Sequence, residues 1–356
     1  MMPQTKPGRQ LSFSILSLML ALLLCLPLTL PALGQSFTVV AETAIPGPTP
    51  LVPLKTPVPF ESYPSTDADG FLTAPLEKDG PAYIYANEEV GRWLYVSTDL
   101  RVEIERRLWR DAKKRAYFYF ISDIRFKGDQ HFRAYNKNPE KPERGTDKPE
   151  NIAKQHNLVY AQNGDLFTWR VSKKKYPGII IRNGKIVREQ TYRSRNTNTT
   201  PLDELSLYAD GHVEIHNPGE LTGAQYLEKG ALDVFSFGPI LIRDGVKDDR
   251  LEGGYYKSFE PRSAIGVVGP GHFKGIMVEG RNKRSVGAGL SFVADRLLEE
   301  GCTDAFTLDG GQTAAMVFMG KTVMDPGTYN GYTKTRAQPD VIGIGVSTQK
   351  VPKKSK

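Results

Sequence analysis

The sequence predicts an α+β fold with a mixed, mostly antiparallel β-sheet core and a few packed helices. Short runs rich in β-branched and aromatic residues follow one another from about residue 76 onward. Three of these runs contain "RNGK", "ADGH" or "IRDG", and Asn-Gly and Asp-Gly pairs between apolar strands are strong hairpin signals. One clear helical pattern appears late in the chain. Strands therefore dominate the prediction.

The N-terminal segment, residues 1–34, has the pattern of a signal peptide. Lys6 and Arg9 precede an almost unbroken apolar run over residues 11–30, and "PALGQ" then offers small residues at signal-peptidase spacing. We expect cleavage before Gln35. An N-terminal membrane anchor is the alternative, because about 20 apolar residues can span a bilayer. Both interpretations predict a secreted or extracytoplasmic protein.

Three further segments are predicted after the signal. Residues 35–75 are rich in Pro, Thr and Ser and indicate an extended linker. Residues 76–154 form an N-terminal β-rich part of the body, with strands in "WLYVSTDLRVEIERRLW" and "RAYFYFISDIRF". The polar stretch "RAYNKNPEKPERGTDKPENIAKQH" predicts a surface loop. Residues 155–350 form the main domain.

The main domain contains a series of predicted strands and one helix. Strands are expected in "NLVYA", "PGIIIRNGKIVRE", "ELSLYADGHVEIH", "DVFSFGPILIRDG", "AIGVVG", "FKGIMVEG", "AFTL" and "VIGIGV". Gly301 stands at the expected C-cap of the helix. The apolar face of that helix has the i, i+3, i+4, i+7, i+8 spacing and comprises Leu290, Val293, Ala294, Leu297 and Leu298.

Missing motifs and the cysteine count argue against several classes of enzyme and metal site. The net charge is +7, and removing residues 1–34, which hold two bases and no acids, leaves +5. The chain has no HExxH, GxSxG or P-loop motif and no cysteine pair for zinc. Cys302 would be the one cysteine of the mature chain and is expected to be a buried structural thiol. The export signal argues against a nucleic-acid partner for the aromatic and basic residues near 117–120.

The stretch "AFTLDGGQTAAMVFMGK" contains the best candidate for a functional site. Asp309 ends a predicted strand, and Gly310 and Gly311 permit backbone conformations that other residues avoid. Successive N–H groups in such a turn can bind an anion, and Thr313 adds a hydroxyl group. An ordinary Asp-Gly turn is the alternative interpretation.

Polar residues stand at other strand ends as well. "NGD" at residues 163–165 follows one strand, and Glu279 and Arg281 flank a glycine after another. Arg262 precedes an apolar strand, where a guanidinium can hold a phosphate with two hydrogen bonds. Turns and surface arginines are the alternatives here.

Taken in order, these segments resemble the phosphodiester glycosidase family over roughly residues 155–347. The resemblance rests on "NGDLF", "PGIIIRNGKI", "FSFGPILIRDG", "PRSAIG", "VEGR", the stretch through "LDGG", and "PDVIGIGV". The family usually has Asp-Gly-Gly-Gly-Ser where this chain has Gln312 and Thr313 after its two glycines. The family also commonly has Asp-Gly-Arg where this chain has Glu279 before Gly280 and Arg281.

The resemblance implies an exported hydrolase that cleaves the sugar–O–phosphate bond of a glycosyl-1-phosphodiester in a cell-surface glycan or related polymer. The implied catalytic residues are Asp309, Asp165, Glu279 and Arg262. The implied substrate-binding residues are Asn163, Gly164, Arg182, Arg281, Gly310, Gly311, Gln312 and Thr313.

The resemblance implies no cofactor and no protein metal site, and a requirement for a divalent cation stays open. The expected partner is a phosphodiester-linked glycan or cell-wall polymer. Two other function classes also stay open at this point. One is a non-catalytic glycan-binding protein on the same fold. The other is a metal-dependent phosphodiesterase with Asp165, Asp309 and Glu279 as oxygen ligands.

Overall fold

The computed structural model describes residues 64–76, 80–165, 178–190 and 202–352. The predicted signal peptide and most of the predicted linker lie outside these ranges. The described residues all belong to one compact unit. None of the helices in these ranges has both the length and the apolar character needed to cross a membrane.

The described residues form 21 β-strands and three α-helices. The helices are α1 (Pro149–Gln155), α2 (Gly223–Glu228) and α3 (Leu290–Glu299). The strands are β1 (Tyr83–Asn87), β2 (Arg92–Val96), β3 (Leu100–Arg110), β4 (Ala116–Phe126), β5 (Arg133–Asn136), β6 (Leu158–Asn163), β7 (Gly178–Arg182), β8 (Lys185–Gln190), β9 (Asp203–Tyr208), β10 (Val213–His216), β11 (Ala231–Phe237), β12 (Ile240–Arg243), β13 (Val246–Lys247), β14 (Arg262–Gly269), β15 (His272–Val278), β16 (Asp304–Leu308), β17 (Met316–Phe318), β18 (Lys321–Thr322), β19 (Thr328–Tyr329), β20 (Tyr332–Thr333) and β21 (Asp340–Val346).

The strands assemble into three larger sheets and one two-stranded hairpin. The largest sheet has the order β1-β2-β3-β4-β15-β14-β16-β12-β13. Two five-stranded sheets have the orders β10-β9-β11-β7-β8 and β18-β17-β6-β21-β5, and β19 pairs with β20. Every strand pair between described residues is antiparallel. The mostly antiparallel core is therefore confirmed, with few helices around it.

The three sheets share one central core. Phe120 and Phe306 of the large sheet pack in the same cluster as Tyr160 and Phe235 of the smaller sheets. Each of these four side chains is buried, which stabilises the fold by about 1.5–3 kcal/mol per large side chain. The helix α3 covers the opposite face of the large sheet. Strands β1 to β4 of the β-rich residues 76–154 belong to the large sheet, because β4 pairs with β15.

The structure confirms the predicted helix and hairpins. The predicted apolar face of α3 is buried apart from Leu298, which is partly buried, and Gly301 has the positive φ of 84° expected at a helix C-terminus. Asn183 and Gly184 have φ of 51° and 67° between β7 and β8, as a type I′ turn requires. Asp244 and Gly245 do the same, with φ of 51° and 75°.

The predicted surface loop after β4 is wrong in part. It contains β5, which pairs with β21, and the short helix α1. Pro149 begins α1, where a missing N–H costs nothing, and Ile152 and Ala153 are buried against β6 and β21. Two apolar residues in a seven-residue helix are too few to produce a visible periodicity.

Glu204 in β9 is expected to make stability depend on pH. Its side chain is fully buried, Tyr226 Oη donates to its Oε2 at 2.9 Å, and burial raises the pKa of Glu204 from 4.5 to about 7. The folded state therefore binds the proton more tightly than the unfolded state. The free energy of unfolding should fall by about 3 kcal/mol as the pH rises from the unfolded pKa of 4.5 through the folded pKa of about 7.

Glu204→Gln keeps an acceptor for Tyr226 and should remove this decline. Urea unfolding at pH 5 and pH 8 measures the effect, with Glu228→Gln on the exposed face of α2 as the control. Equal pH dependence in wild type and Glu204→Gln would contradict the expectation.

Candidate functional site

The candidate site lies at one end of three adjacent strands of the large sheet. Ser263 of β14 pairs with Leu308 of β16, so Arg262 and Asp309 come next in the same register. Glu279 follows β15 at the same end, because Arg262 pairs with Val278. The antiparallel register thus brings together chain positions that the sequence separates widely.

A cavity of about 250 Å³ opens at this end of the sheet. Its charged lining consists of Arg262, Arg281, Arg336, Asp309 and Glu260. Six of the predicted site residues therefore line one cavity, counting Gly310, Gly311 and Gln312 with Arg262, Arg281 and Asp309. The rest of the lining comprises Phe237, Gly238, Tyr255, Tyr256, Leu290, Thr307 and Tyr329.

Arg262 is a buried cation that forms no salt bridge with a described residue. Its side chain is 6% exposed, and its Nε donates to the Ala288 carbonyl at 3.0 Å. Its Nη2 donates to the Ser258 carbonyl at 2.9 Å and to Ser258 Oγ at 3.1 Å. Burial lowers the pKa of Arg262, Tyr255 and Glu260 partly oppose that effect, and the charge of Arg281 adds to it. Because no described carboxylate forms a salt bridge with this guanidinium, an anion in the cavity would stabilise it.

Arg281 lies on the same cavity in a different environment. Its backbone is left-handed, with φ of 54°, and its Nε lies 2.5 Å from Glu260 Oε2. Its guanidinium carbon is 5.3 Å from the centre of the Tyr329 ring. Glu260 therefore brings a second carboxylate to the cavity, next to the one predicted at Asp309.

The two glycines let the chain pass close to both arginines. A Cβ on Gly310 would lie 2.8 Å from the Pro261 carbonyl oxygen and 3.9 Å from Arg262 Cδ. A Cβ on Gly311, where φ is 62°, would lie 3.3 Å from Arg281 Nη1. The predicted use of Gly311 as an anion-binding donor needs correction. Its N–H donates to the Pro261 carbonyl at 2.9 Å and so is already satisfied within the fold.

Asn163 and Gly164 support Asp309 from outside the cavity lining. The buried Asn163 Nδ2 donates to the Asp309 carbonyl at 2.7 Å, and its Oδ1 accepts the Ala315 N–H at 3.0 Å. A Cβ on Gly164 would lie 2.0 Å from Asp340 Oδ1, so glycine is required there. The Asn163 hydrogen bond to Asp309, together with the Asp309 N–H that donates to the Gly164 carbonyl at 3.3 Å, joins the end of β6 to the turn after β16.

Asp165 and Arg182 lie in a buried ion network beside these residues. Arg182 Nη2 is 2.8 Å from Asp340 Oδ2 and 3.6 Å from Asp165 Oδ2, and the Ser236 N–H donates to Asp165 Oδ2 at 2.8 Å. Desolvation opposes the charge of Arg182, but Asp340 and Asp165 outweigh it and raise its pKa. Neither predicted residue lines the described cavity.

Glu279 also lies outside the cavity lining. It is fully buried, it accepts Arg284 Nε at 2.6 Å, and it accepts the Asp325 N–H at 2.8 Å. This ion pair fixes the loop that carries Arg281. Across the described residues, no group of three or more His, Cys, Asp or Glu side chains is arranged to hold a metal ion.

Thr313 and Thr307 are buried threonines whose hydroxyls find no hydrogen-bond partner among the described residues. The predicted residue, Thr313, does not line the cavity, whereas Thr307 of β16 does. The polar Thr307 in the apolar run "AFTL" is the signal that could have identified it. Tyr255 and Tyr329 stand in segments with no comparable pattern.

Gln312 lines the cavity and also holds the β19–β20 hairpin beside it. Its Nε2 donates to the Tyr332 carbonyl at 2.8 Å, and its own carbonyl accepts the Arg336 N–H at 2.8 Å. Tyr332 belongs to the β19–β20 hairpin, which also carries Tyr329. The unusual glutamine thus links the turn after β16 to one wall of the cavity.

Gln312→Ala is therefore expected to raise KM for a substrate of this site by about fivefold and to leave kcat nearly unchanged. One net hydrogen bond of about 1 kcal/mol sets this magnitude. Steady-state kinetics measures it, with Lys350→Ala, at an exposed lysine after β21, as the control. An unchanged KM for Gln312→Ala would show that the hairpin does not contribute to binding.

Comparison with known proteins identifies a family for this chain. The family model described as phosphodiester glycosidase (NAGPA) matches residues 156–345, which is more than half of the chain. The SPbeta prophage-derived uncharacterized protein YomE of Bacillus subtilis is 28% identical over 175 residues, which are 48% of this chain. The match spans only 26% of the length of that relative.

One solved structure supports the fold, and a second shows a weaker similarity. The zebrafish N-acetylglucosamine-1-phosphodiester alpha-N-acetylglucosaminidase catalytic domain, auto-inhibited by its pro-peptide, has a TM-score of 0.55 at 19% identity, covering 70% of this chain and 84% of that one. A hypothetical protein from Synechocystis has a TM-score of 0.47 at 11% identity, covering 75% and 72%. The family predicted from the sequence is confirmed by the family match, and the chain belongs to the phosphodiester glycosidase family.

Proposed function

We propose that this protein hydrolyses the bond between the anomeric carbon of a sugar and the phosphate oxygen in a glycosyl-1-phosphodiester. The products are a free sugar and a phosphomonoester. Membership of the phosphodiester glycosidase family supports the class of reaction. The observation that carries the proposal is the buried Arg262 guanidinium, which has no acidic partner among the described residues and lines the same cavity as Asp309.

Arg262 and Arg281 are proposed to bind the phosphate. The phosphate receives the electron pair of the broken bond, so cationic donors stabilise the charge that grows on it. The positive charge of Arg281 adds to the cost of a charged Arg262, and a phosphate between them would relieve that repulsion. The Thr307 hydroxyl is a further donor on the same cavity.

Asp309 is proposed as the catalytic carboxylate, and Glu260 is the second carboxylate on the cavity. Asp309 would accept a proton from water while the water oxygen forms a bond to the anomeric carbon. Alternatively, its negative charge would stabilise the anomeric carbon as positive charge develops there. The phosphate leaves without needing strong protonation. Asp165 and Glu279, both in buried ion networks, would position the surrounding loops.

The sugar is proposed to lie against the tyrosines. Tyr255, Tyr256 and Tyr329 line the cavity, and their rings offer apolar faces with polar tips. A cavity of about 250 Å³ suits one sugar unit with its phosphate rather than a long oligosaccharide. The signal-like N-terminus supports the further proposal that the substrate belongs to a cell-surface glycan.

A panel of glycosyl-1-phosphodiesters differing in the sugar tests this function, with free sugar as the product measured. Each assay is run with and without a chelator. Release of sugar that the chelator does not affect is the expected result. Binding without any product would favour a glycan-binding protein, and activity lost with chelator and restored by a divalent cation would favour a metal-dependent phosphodiesterase.

A further inference from the structure

A second cavity, of about 610 Å³, lies next to the first and shares Arg281 with it. Tyr329 lines the first cavity, and Thr328 and Thr333 line the second. Successive side chains of a strand point to opposite faces, so the β19–β20 hairpin presents one face to each cavity. Arg281 and this hairpin together form the boundary between the two spaces.

We propose that the second cavity binds the aglycone, the alcohol on the far side of the phosphodiester from the sugar. This inference rests on the proposed function. A phosphodiester has two arms, and a phosphate at Arg281 that places its sugar in the first cavity directs its other arm toward the second. Because Arg281 lines both cavities, one guanidinium can hold the phosphate at their junction.

The charge of the second cavity indicates the kind of alcohol. Lys283 is exposed there and forms no salt bridge with a described residue, and none of the described lining residues is acidic. Glu260 offsets part of the Arg281 charge, so the exposed Lys283 is the main positive charge that an aglycone meets in this space. The hydroxyls of Thr328 and Thr333, 2.6 Å apart, add polar groups. An aglycone with hydroxyls and a further negative charge, such as a polyol phosphate chain, fits this lining.

The loop that carries Lys283 is fixed before any ligand binds. Asn282 Oδ1 accepts the Arg284 N–H at 3.1 Å and the Ser285 N–H at 2.9 Å. Ser285 Oγ donates to the Glu279 carbonyl at 2.7 Å, and the Phe118 N–H donates to Ser285 Oγ at 3.1 Å. A preorganised loop reduces the cost of ordering on binding, so the second cavity can contribute affinity.

Two substrates with the same sugar test this inference. One carries a methyl aglycone and the other a glycerol phosphate trimer. Wild type should have the higher kcat/KM on the trimer. Lys283→Ala should lower kcat/KM on the trimer by about tenfold, the scale of one charge-assisted contact, and should change it less than about twofold on the methyl ester. Lys185→Ala, at an exposed lysine in β8, is the matched control.

A second variant tests the space itself. Val286 is 38% exposed on this cavity, and Val286→Trp should obstruct the trimer while leaving the methyl ester unaffected. Equal activity of wild type on the two substrates, or equal losses on both in Lys283→Ala, would overturn the aglycone assignment and leave the hydrolase intact. Failure of wild type to hydrolyse either substrate would count against the proposed function itself.

Discussion

Replacement of Arg262 by methionine should lower kcat/KM for a glycosyl-1-phosphodiester by about 100- to 1,000-fold, the usual effect of removing one transition-state donor. The free energy of unfolding of the Arg262→Met variant should differ from that of wild type by less than about 1 kcal/mol. The variant loses hydrogen bonds to the Ala288 and Ser258 carbonyls, but it also removes a buried charge that lacks an acidic partner among the described residues. A large loss of activity with little loss of stability is the signature of a group kept for its ligand.

Kinetics and urea unfolding of the same preparation measure both quantities. Arg110→Met, at an exposed arginine at the end of β3, is the control. Inorganic phosphate should raise the Tm of wild type and of this control but not that of Arg262→Met, because only a folded state that binds the anion is stabilised. Full activity in Arg262→Met would remove Arg262 from the phosphate site.

Asp309→Asn should lower kcat by about 100- to 10,000-fold, the range for loss of a general acid or base. The substitution keeps the shape of the side chain. Asn163 holds Asp309 through the main-chain carbonyl, which the variant retains. We therefore expect KM and Tm to stay close to those of wild type, with the loss confined to turnover.

Glu260→Gln separates the two carboxylates of the cavity. Glu260 pairs with Arg281, so its loss should affect phosphate binding and raise KM more than it lowers kcat. Single-turnover kinetics on saturating substrate distinguishes the two variants. Near wild-type turnover in Asp309→Asn together with a collapse in Glu260→Gln would transfer the catalytic role to Glu260.

The sequence predicted the fold wherever the signal was local. Asn183–Gly184 and Asp244–Gly245 set their hairpins through their own backbone preferences, and α3 has enough turns to show its period. The helix α1 was missed because, after Pro149 at its start, only Ile152 and Ala153 are buried. Its position depends on β6 and β21, which no local pattern reveals.

In the candidate site, too, residues with a local sequence signal could be predicted, and residues whose role depends on distant segments could not. Asp309 and Arg262 could be selected because each stands at the end of an apolar strand, and antiparallel pairing brings such ends together. The surroundings of Asp165 and Glu279 could not be predicted, because their cationic neighbours, Arg182 and Arg284, belong to other segments or to a turn. Glu260 gave no signal, since its role on the cavity comes from an ion pair with Arg281.

Hydrolysis in ¹⁸O-labelled water tests the central claim most directly. If the bond between the anomeric carbon and the phosphate oxygen breaks, the oxygen of water enters the sugar. Mass spectrometry of the released phosphomonoester should then find no ¹⁸O. A phosphomonoester that carries one ¹⁸O atom would show that water attacked phosphorus, and it would contradict the assignment of this site as a glycosidase.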